Sequence, residues 1–118
     1  PCAVAAGLAM QDIMEKESLF QRSKDMSPYF LNGLFSLKDI DGVIDIRGYG
    51  MMGGIDIRTD ERPGKAGYAC FKKLFDAGLS LKATGDCLII APPFISEKHH
   101  IDEMIEKLRT GITNYMKG

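Results

Sequence analysis

The chain has 118 residues, of which 45% are hydrophobic, 26% charged and 8% aromatic; this is the length and apolar content of one ordinary globular domain. Lys plus Arg number 15 against 16 Asp plus Glu, a net charge of -1, so no electrostatic excess supports general binding to nucleic acid or to an anionic membrane surface. The longest apolar runs, Ala3 to Met10 and Leu88 to Ala91, fall far short of the roughly 20 residues that span a bilayer.

Cys2, Cys70 and Cys87 are an odd, scattered set with no C-x-x-C pair and no clustered His. That pattern argues against a disulfide framework or a zinc site and makes a reducing cytoplasm the expected compartment. The chain opens Pro1-Cys2-Ala3-Val4 without a basic segment, so no signal peptide is expected. It also opens without Met and inside a helical pattern, which reads as a piece cut from something longer, although a processed chain would read the same.

In chain order, Ala3, Ala6, Met10, Ile13, Met14 and Phe20 recur at three- and four-residue intervals and predict a long first helix. The pattern resumes at Met26, Phe30, Leu34 and Leu37, with a break or kink expected near Asp25 to Pro28 because proline does not suit a helix interior. After the turn cluster Asp39-Ile40-Asp41-Gly42 the period drops to two. Ile-Asp-Ile-Arg occurs twice, at Ile44 to Arg47 and Ile55 to Arg58, each copy sending its Ile to one face and its Asp and Arg to the other. The intervening Gly48, Gly50, Gly53 and Gly54 predict an antiparallel hairpin turning near Tyr49-Gly50.

A third helix carries Tyr68, Phe71, Leu74 and Phe75 along one side and ends at Gly78. Two short strands follow, Leu79 to Thr84 and Cys87 to Ala91, the second stopped by Pro92-Pro93. In the last segment Ser96 is the expected N-cap, and Ile101, Met104, Ile105, Leu108, Ile112 and Tyr115 form one apolar stripe. The order predicts an α+β fold: a small, largely antiparallel sheet with helices packed on one face.

Few residues carry a chemical signal. Gly48-x-Gly50-x-x-Gly53 matches the dinucleotide fingerprint in letters, but that fingerprint requires a helix to begin there and a strand pattern follows instead. Asp39-x-Asp41-Gly42 lacks the later ligands of a calcium loop and reads as a turn. His99 and His100 are helix neighbours pointing about a hundred degrees apart, a solvated first turn rather than a metal site. In Leu79-Ser-Leu-Lys-Ala-Thr84 the alternation sends Leu79, Leu81 and Ala83 to the core and Ser80, Lys82 and Thr84 to the other face. A cation flanked by two hydroxyls beside a Gly-Asp turn suits a carboxylate, though from the pattern alone a solvent-exposed strand lysine is the better reading. No complete constellation of nucleophile, base and oxyanion donors is visible.

Four segments carry a resemblance: Pro1-Cys-Ala-Val-Ala-Ala-Gly-Leu-Ala, Ser36-Leu-Lys, Val43-Ile-Asp-Ile-Arg-Gly-Tyr-Gly-Met-Met-Gly-Gly-Ile-Asp, and Ala83-Thr-Gly-Asp-x-x-Ile-x-x-Pro-Pro. In order and with few gaps from Pro1 to about Lys107, they resemble the C-terminal part of class III pyridoxal-phosphate-dependent aminotransferases, particularly the omega-amino acid:pyruvate branch. The resemblance implies a single α+β domain over residues 1–118, with linking helices at 1–38 and the sandwich core at 39–118, belonging to a fold-type I homodimer whose large domain lies N-terminal. It implies a transaminase moving an amino group from an amine or omega-amino acid to a keto acid such as pyruvate. The pyridoxal 5'-phosphate and its Schiff-base lysine would sit on missing polypeptide, so the fragment by itself would be inactive. At Lys82 many such enzymes carry an Arg that pairs with the substrate carboxylate. Lys is a point charge without the planar fork of Arg, which leaves the substrate class open. An aminomutase or decarboxylating enzyme of the same fold, or a free-standing interaction module, would carry the same elements.

Overall fold

A computed structural model describes all residues 1–118. Its elements are α1 (Cys2–Lys16), α2 (Leu19–Phe35), a 3-10 turn (Ser36–Asp39), β1 (Val43–Tyr49), β2 (Met52–Ile57), α3 (Lys65–Asp76), β3 (Lys82–Thr84), β4 (Cys87–Ile90) and α4 (Lys98–Met116). The four strands form one antiparallel sheet in the order β1-β2-β4-β3. This is the α+β architecture expected from the alternation of periods.

The sheet has one dry face and one wet face. Ile46, Ile55, Leu88 and Ala83 are register partners in one row across all four strands, and Ile55 and Leu88 are fully buried. Against this face pack Phe30, Leu34 and Leu37 from the second helix and its 3-10 turn, Cys70 and Leu74 from α3, and Ile101, Leu108 and Ile112 from α4, all within one core cluster. Bare backbone lets α2 approach: a Cβ at Gly53 would collide with Leu34. The Gly48 to Gly53 run is therefore a hairpin turning at Gly50–Met51, and no helix begins there.

Four local expectations need correction. The helical break lies at Glu17–Ser18, where Ser18 has φ 52, and Pro28 sits inside α2. The ~3 kcal/mol that a proline costs a helix interior is outweighed by α2 burying Leu19, Phe30 and Leu34. Second, the β1 alternation fails at its start: the register shifts between Val43 and Asp45, so Ile44 bulges outward and is 66% exposed. Third, the buried side of α3 is Ala66, Gly67, Cys70 and Leu74, while Tyr68 and Phe75 are exposed. Phe71 is half-buried against the core and stands between them, its ring centroid 6.2 Å from that of Tyr68 and 6.1 Å from that of Phe75. Fourth, the N-cap of α4 is Glu97 rather than Ser96; the Glu97 N–H donates to His100 Nδ1 at 3.0 Å, and the His99 and His100 rings lie 3.9 Å apart instead of diverging.

Helix α3 ends as expected at Gly78, whose N–H donates to the Phe75 carbonyl while that of Leu79 donates to Leu74. Strands β3 and β4 are shorter than the patterns that announced them, starting at Lys82 and ending at Ile90. No residue of α1 is buried, and the radius of gyration is 15.9 Å against about 13.5 Å for a compact chain of this length. Phe30→Ala should therefore cost roughly 3–5 kcal/mol of unfolding free energy, and Leu8→Ala on α1 under about 0.5 kcal/mol, by urea denaturation. Comparable losses would mean that α1 shares the core.

Candidate functional site

The wet face of the sheet carries two polar rows. Register places Arg47, Gly54, Ile89 and Lys82 in one row, and Asp45, Asp56, Cys87 and Thr84 in the next. Asp45 and Asp56 are thus directly opposite, an arrangement that costs energy for like charges. Arg47 removes the repulsion. Its Nη1 donates to Asp45 Oδ2 and Asp56 Oδ2, both at 2.8 Å, and its Nη2 to Asp56 Oδ1 at 3.1 Å. The fork around Asp56 is the bidentate pairing that a lysine cannot reproduce.

The second Ile-Asp-Ile-Arg copy works differently: Arg58 lies past the end of β2 and pairs with Asp41 in the turn before β1, at 3.1 and 3.3 Å. The first repeat thus uses its Arg to bridge the two strands of the hairpin, and the second to tie the hairpin to the turn before it.

Around the Arg47 cluster, proton affinities follow from contacts. The hydrogen bonds from Arg47 hold the Asp56 carboxyl below the usual carboxylate range. Partial burial first, and then the hydrogen bond with Asp56, push the Cys87 thiol above its ordinary value. Burial alone raises the core thiol of Cys70 to about 11. Both are poor nucleophiles, since the thiolate is the reactive form. A cleft of about 480 Å3 opens on this face, floored by Gly54 and walled by Arg47, Tyr49, Met52, Cys87 and Ile89.

Lys82 lies on the exposed side of edge strand β3, opposite Ile89, with Leu79 buried and Leu81 and Ala83 half-buried behind it. The expected alternation of this segment is present from Leu79 to Thr84. Of the two basic side chains on the strands, Arg47 is neutralised by its acids and Lys82 makes no ion pair. It is the free positive charge of this face.

Two anchoring residues escaped sequence reasoning. Asp86, in the Thr84-Gly85-Asp86 turn, accepts the backbone N–H groups of Gly64 and Gly67, each at 2.9 Å, and so satisfies the start of α3. Arg22 donates to the carbonyls of Phe94, Ile95 and Ser96 at 2.9, 3.2 and 3.0 Å, tying α2 to the loop after Pro92-Pro93. A helix-capping acid usually sits at the helix start itself. Asp86 is 22 residues from one of its donors, so no local pattern announces it.

The family model for class-III aminotransferases matches residues 1–112. The chain belongs to the class-III aminotransferase family. It is 38% identical over 112 residues to an omega-aminotransferase of Caulobacter vibrioides, covering 92% of this chain and 25% of that protein. It is 35% identical over 111 residues to a beta-alanine--pyruvate aminotransferase of Pseudomonas aeruginosa, covering 90% and 24%. Among solved structures, a transaminase with L-alanine superposes with a TM-score of 0.92 at 27% identity, over 99% of this chain and 29% of that one. An adenosylmethionine-8-amino-7-oxononanoate aminotransferase of Methanocaldococcus jannaschii superposes with a TM-score of 0.84 at 30% identity, over 92% and 26%. The chain spans about a quarter of the length of the curated relatives it matches.

The ion cluster makes a defined pH prediction. Because the folded Asp56 carboxyl is held below its unfolded value of about 3.9, the cluster's stabilisation is complete above that pH. It is lost as pH falls through the folded value. A carboxyl-carbon NMR titration should place the Asp56 midpoint below the ordinary aspartate value, and Arg47→Met should move it upward. An unmoved midpoint would remove the assigned role of Arg47.

Proposed function

We propose that this chain is the C-terminal small domain of a pyridoxal-phosphate-dependent transaminase, with residues 1–38 as linking helices and 39–118 as the α+β core. The enzyme moves an amino group between an amine or omega-amino acid and a keto acid such as pyruvate, and acts as a cytoplasmic homodimer with the large domain N-terminal to this segment. Family membership supports the reaction class, and the names of the most similar relatives favour the omega-amino acid branch.

The observation that carries the substrate assignment is Lys82, an unpaired cation on the wet face of β3. In this reading its Nζ donates to the substrate carboxylate and orients the amine or carbonyl end toward the coenzyme. Ser80 and Thr84, exposed on the same side, supply neutral hydroxyls beside it. A point charge tolerates more carboxylate orientations than a guanidinium fork, so the reading favours broad acceptance of carboxylate-bearing substrates over strict geometric selection.

These residues do not fit the coenzyme itself. A Schiff-base lysine must be held near neutral by a desolvated or cationic setting. All lysines here are exposed except Lys107, which is half-buried and paired with Glu103 at 2.9 Å. The backbone N–H groups of Gly64 and Gly67 at the start of α3 are taken by the Asp86 carboxylate and are not free to hold a phosphate. The Schiff-base lysine and the phosphate cradle belong, in this reading, to the large domain.

Transaminase assay of the intact enzyme with an amine and pyruvate decides the reaction class; absence of turnover with coenzyme bound would sink it. Lys82→Ala should raise KM for carboxylate-bearing substrates by roughly tenfold to a hundredfold, the loss of one charged hydrogen bond. Simple amines and aldehydes should be little affected. An equal effect on both kinds of substrate would withdraw Lys82 from carboxylate recognition.

A further inference from the structure

Lys82 has nothing of its own to hold it. Strand β3 is three residues long, lies at the sheet edge and pairs with β4 alone. The Lys82 side chain forms neither a hydrogen bond nor an ion pair, so its position follows from where the strand is fixed.

Beyond its ladder with β4 and the packing of Leu79, Leu81 and Ala83 behind it, that strand is fixed by the turn after it. The Asp86 carboxylate takes two N–H groups of the α3 start, Gly64 on Oδ2 and Gly67 on Oδ1, both at 2.9 Å. The Asp86 carbonyl accepts the N–H of Ile57 on β2 at 3.0 Å. A Cβ at Gly67 would collide with the Gly85 carbonyl and come within 2.9 Å of Asp86 Cα, so the helix meets the turn backbone to backbone. Helix α3, strand β2 and the β3–β4 hairpin thus converge on one residue, four positions from Lys82.

We infer that Asp86 is a positioning residue for substrate: by clamping the β3–β4 turn to α3 and β2 it sets where Lys82 presents its ammonium to a carboxylate. The inference rests on Lys82 as the carboxylate-binding residue. A charge-assisted contact is sharply distance-dependent, and misplacement of a binding group by about 1 Å can cost up to a hundredfold. Asp86 needs no contact with substrate to act in this way.

The test uses the intact enzyme with one amine donor and two acceptors, pyruvate and an aldehyde lacking a carboxylate. Asp86→Asn keeps one carbonyl acceptor but turns the other position into a donor facing an N–H, so it releases one of the two amides with little change of volume. Gly67→Ala strains the same junction with Asp86 intact and serves where an Asp86 variant fails to fold. Each should raise KM for pyruvate by about tenfold and leave the KM for aldehyde and the kcat within about twofold. In a Lys82→Ala background Asp86→Asn should add nothing further to the pyruvate KM. Equal losses with both acceptors, additivity with Lys82→Ala, or no change in either variant would overturn the inference and leave Asp86 as a fold anchor. If Lys82→Ala does not itself discriminate against pyruvate, the carboxylate-binding role of Lys82 fails and this inference goes with it.

Discussion

The four-stranded sheet, whose longest strand has seven residues, is covered by helices on one side only, and that asymmetry governs this chain. The row Ile46, Ile55, Leu88 and Ala83 draws α2, α3 and α4 onto a single face. Because side chains alternate, every dry residue commits its neighbours to the opposite face. Arg47, Asp56, Cys87, Ile89, Lys82 and Thr84 lie together for that reason. The polar surface is the geometric remainder of the core.

Charge on that remainder is distributed unevenly. The hairpin sets two aspartates opposite each other, and one arginine bridges both, so its own charge is fully engaged. Lys82, two strands further across, keeps its charge. A sheet face with one saturated and one free cation offers an incoming anion a single landing point, which is the basis of the carboxylate role proposed for Lys82. The free cation sits on the shortest strand, four residues before the Asp86 junction with α3.

Helices α1 and α3 leave apolar side chains in solvent. Val4, Leu8, Met10 and Ile13 on α1, and Tyr68 and Phe75 on α3, are exposed. Left in water, such surface forgoes the favourable transfer that burial gives. The same exposure explains why the apolar pattern of α1 predicted its helix but not its environment: periodicity reports which residues share a face, not what that face meets.

Local rules determined much by themselves: the order of helices and strands, the wet and dry sides of β3, the end of α3 at Gly78, and the family likeness carried by the Ile-Asp-Ile-Arg and Thr-Gly-Asp segments. Those features depend on contacts within a few residues, where side-chain period and backbone preference act directly. Only the tertiary structure decided that Pro28 stays inside α2, that Ile44 bulges outward, that α3 leaves Tyr68 and Phe75 exposed while burying Ala66, Gly67 and Cys70 with Leu74, and that Arg47 holds both aspartates. Each of these turns on partners far apart in the chain, such as Asp86 reaching Gly64 across 22 residues. Burial and hydrogen bonding at such distances override local preference, and nothing in the neighbouring letters encodes which distant group will arrive.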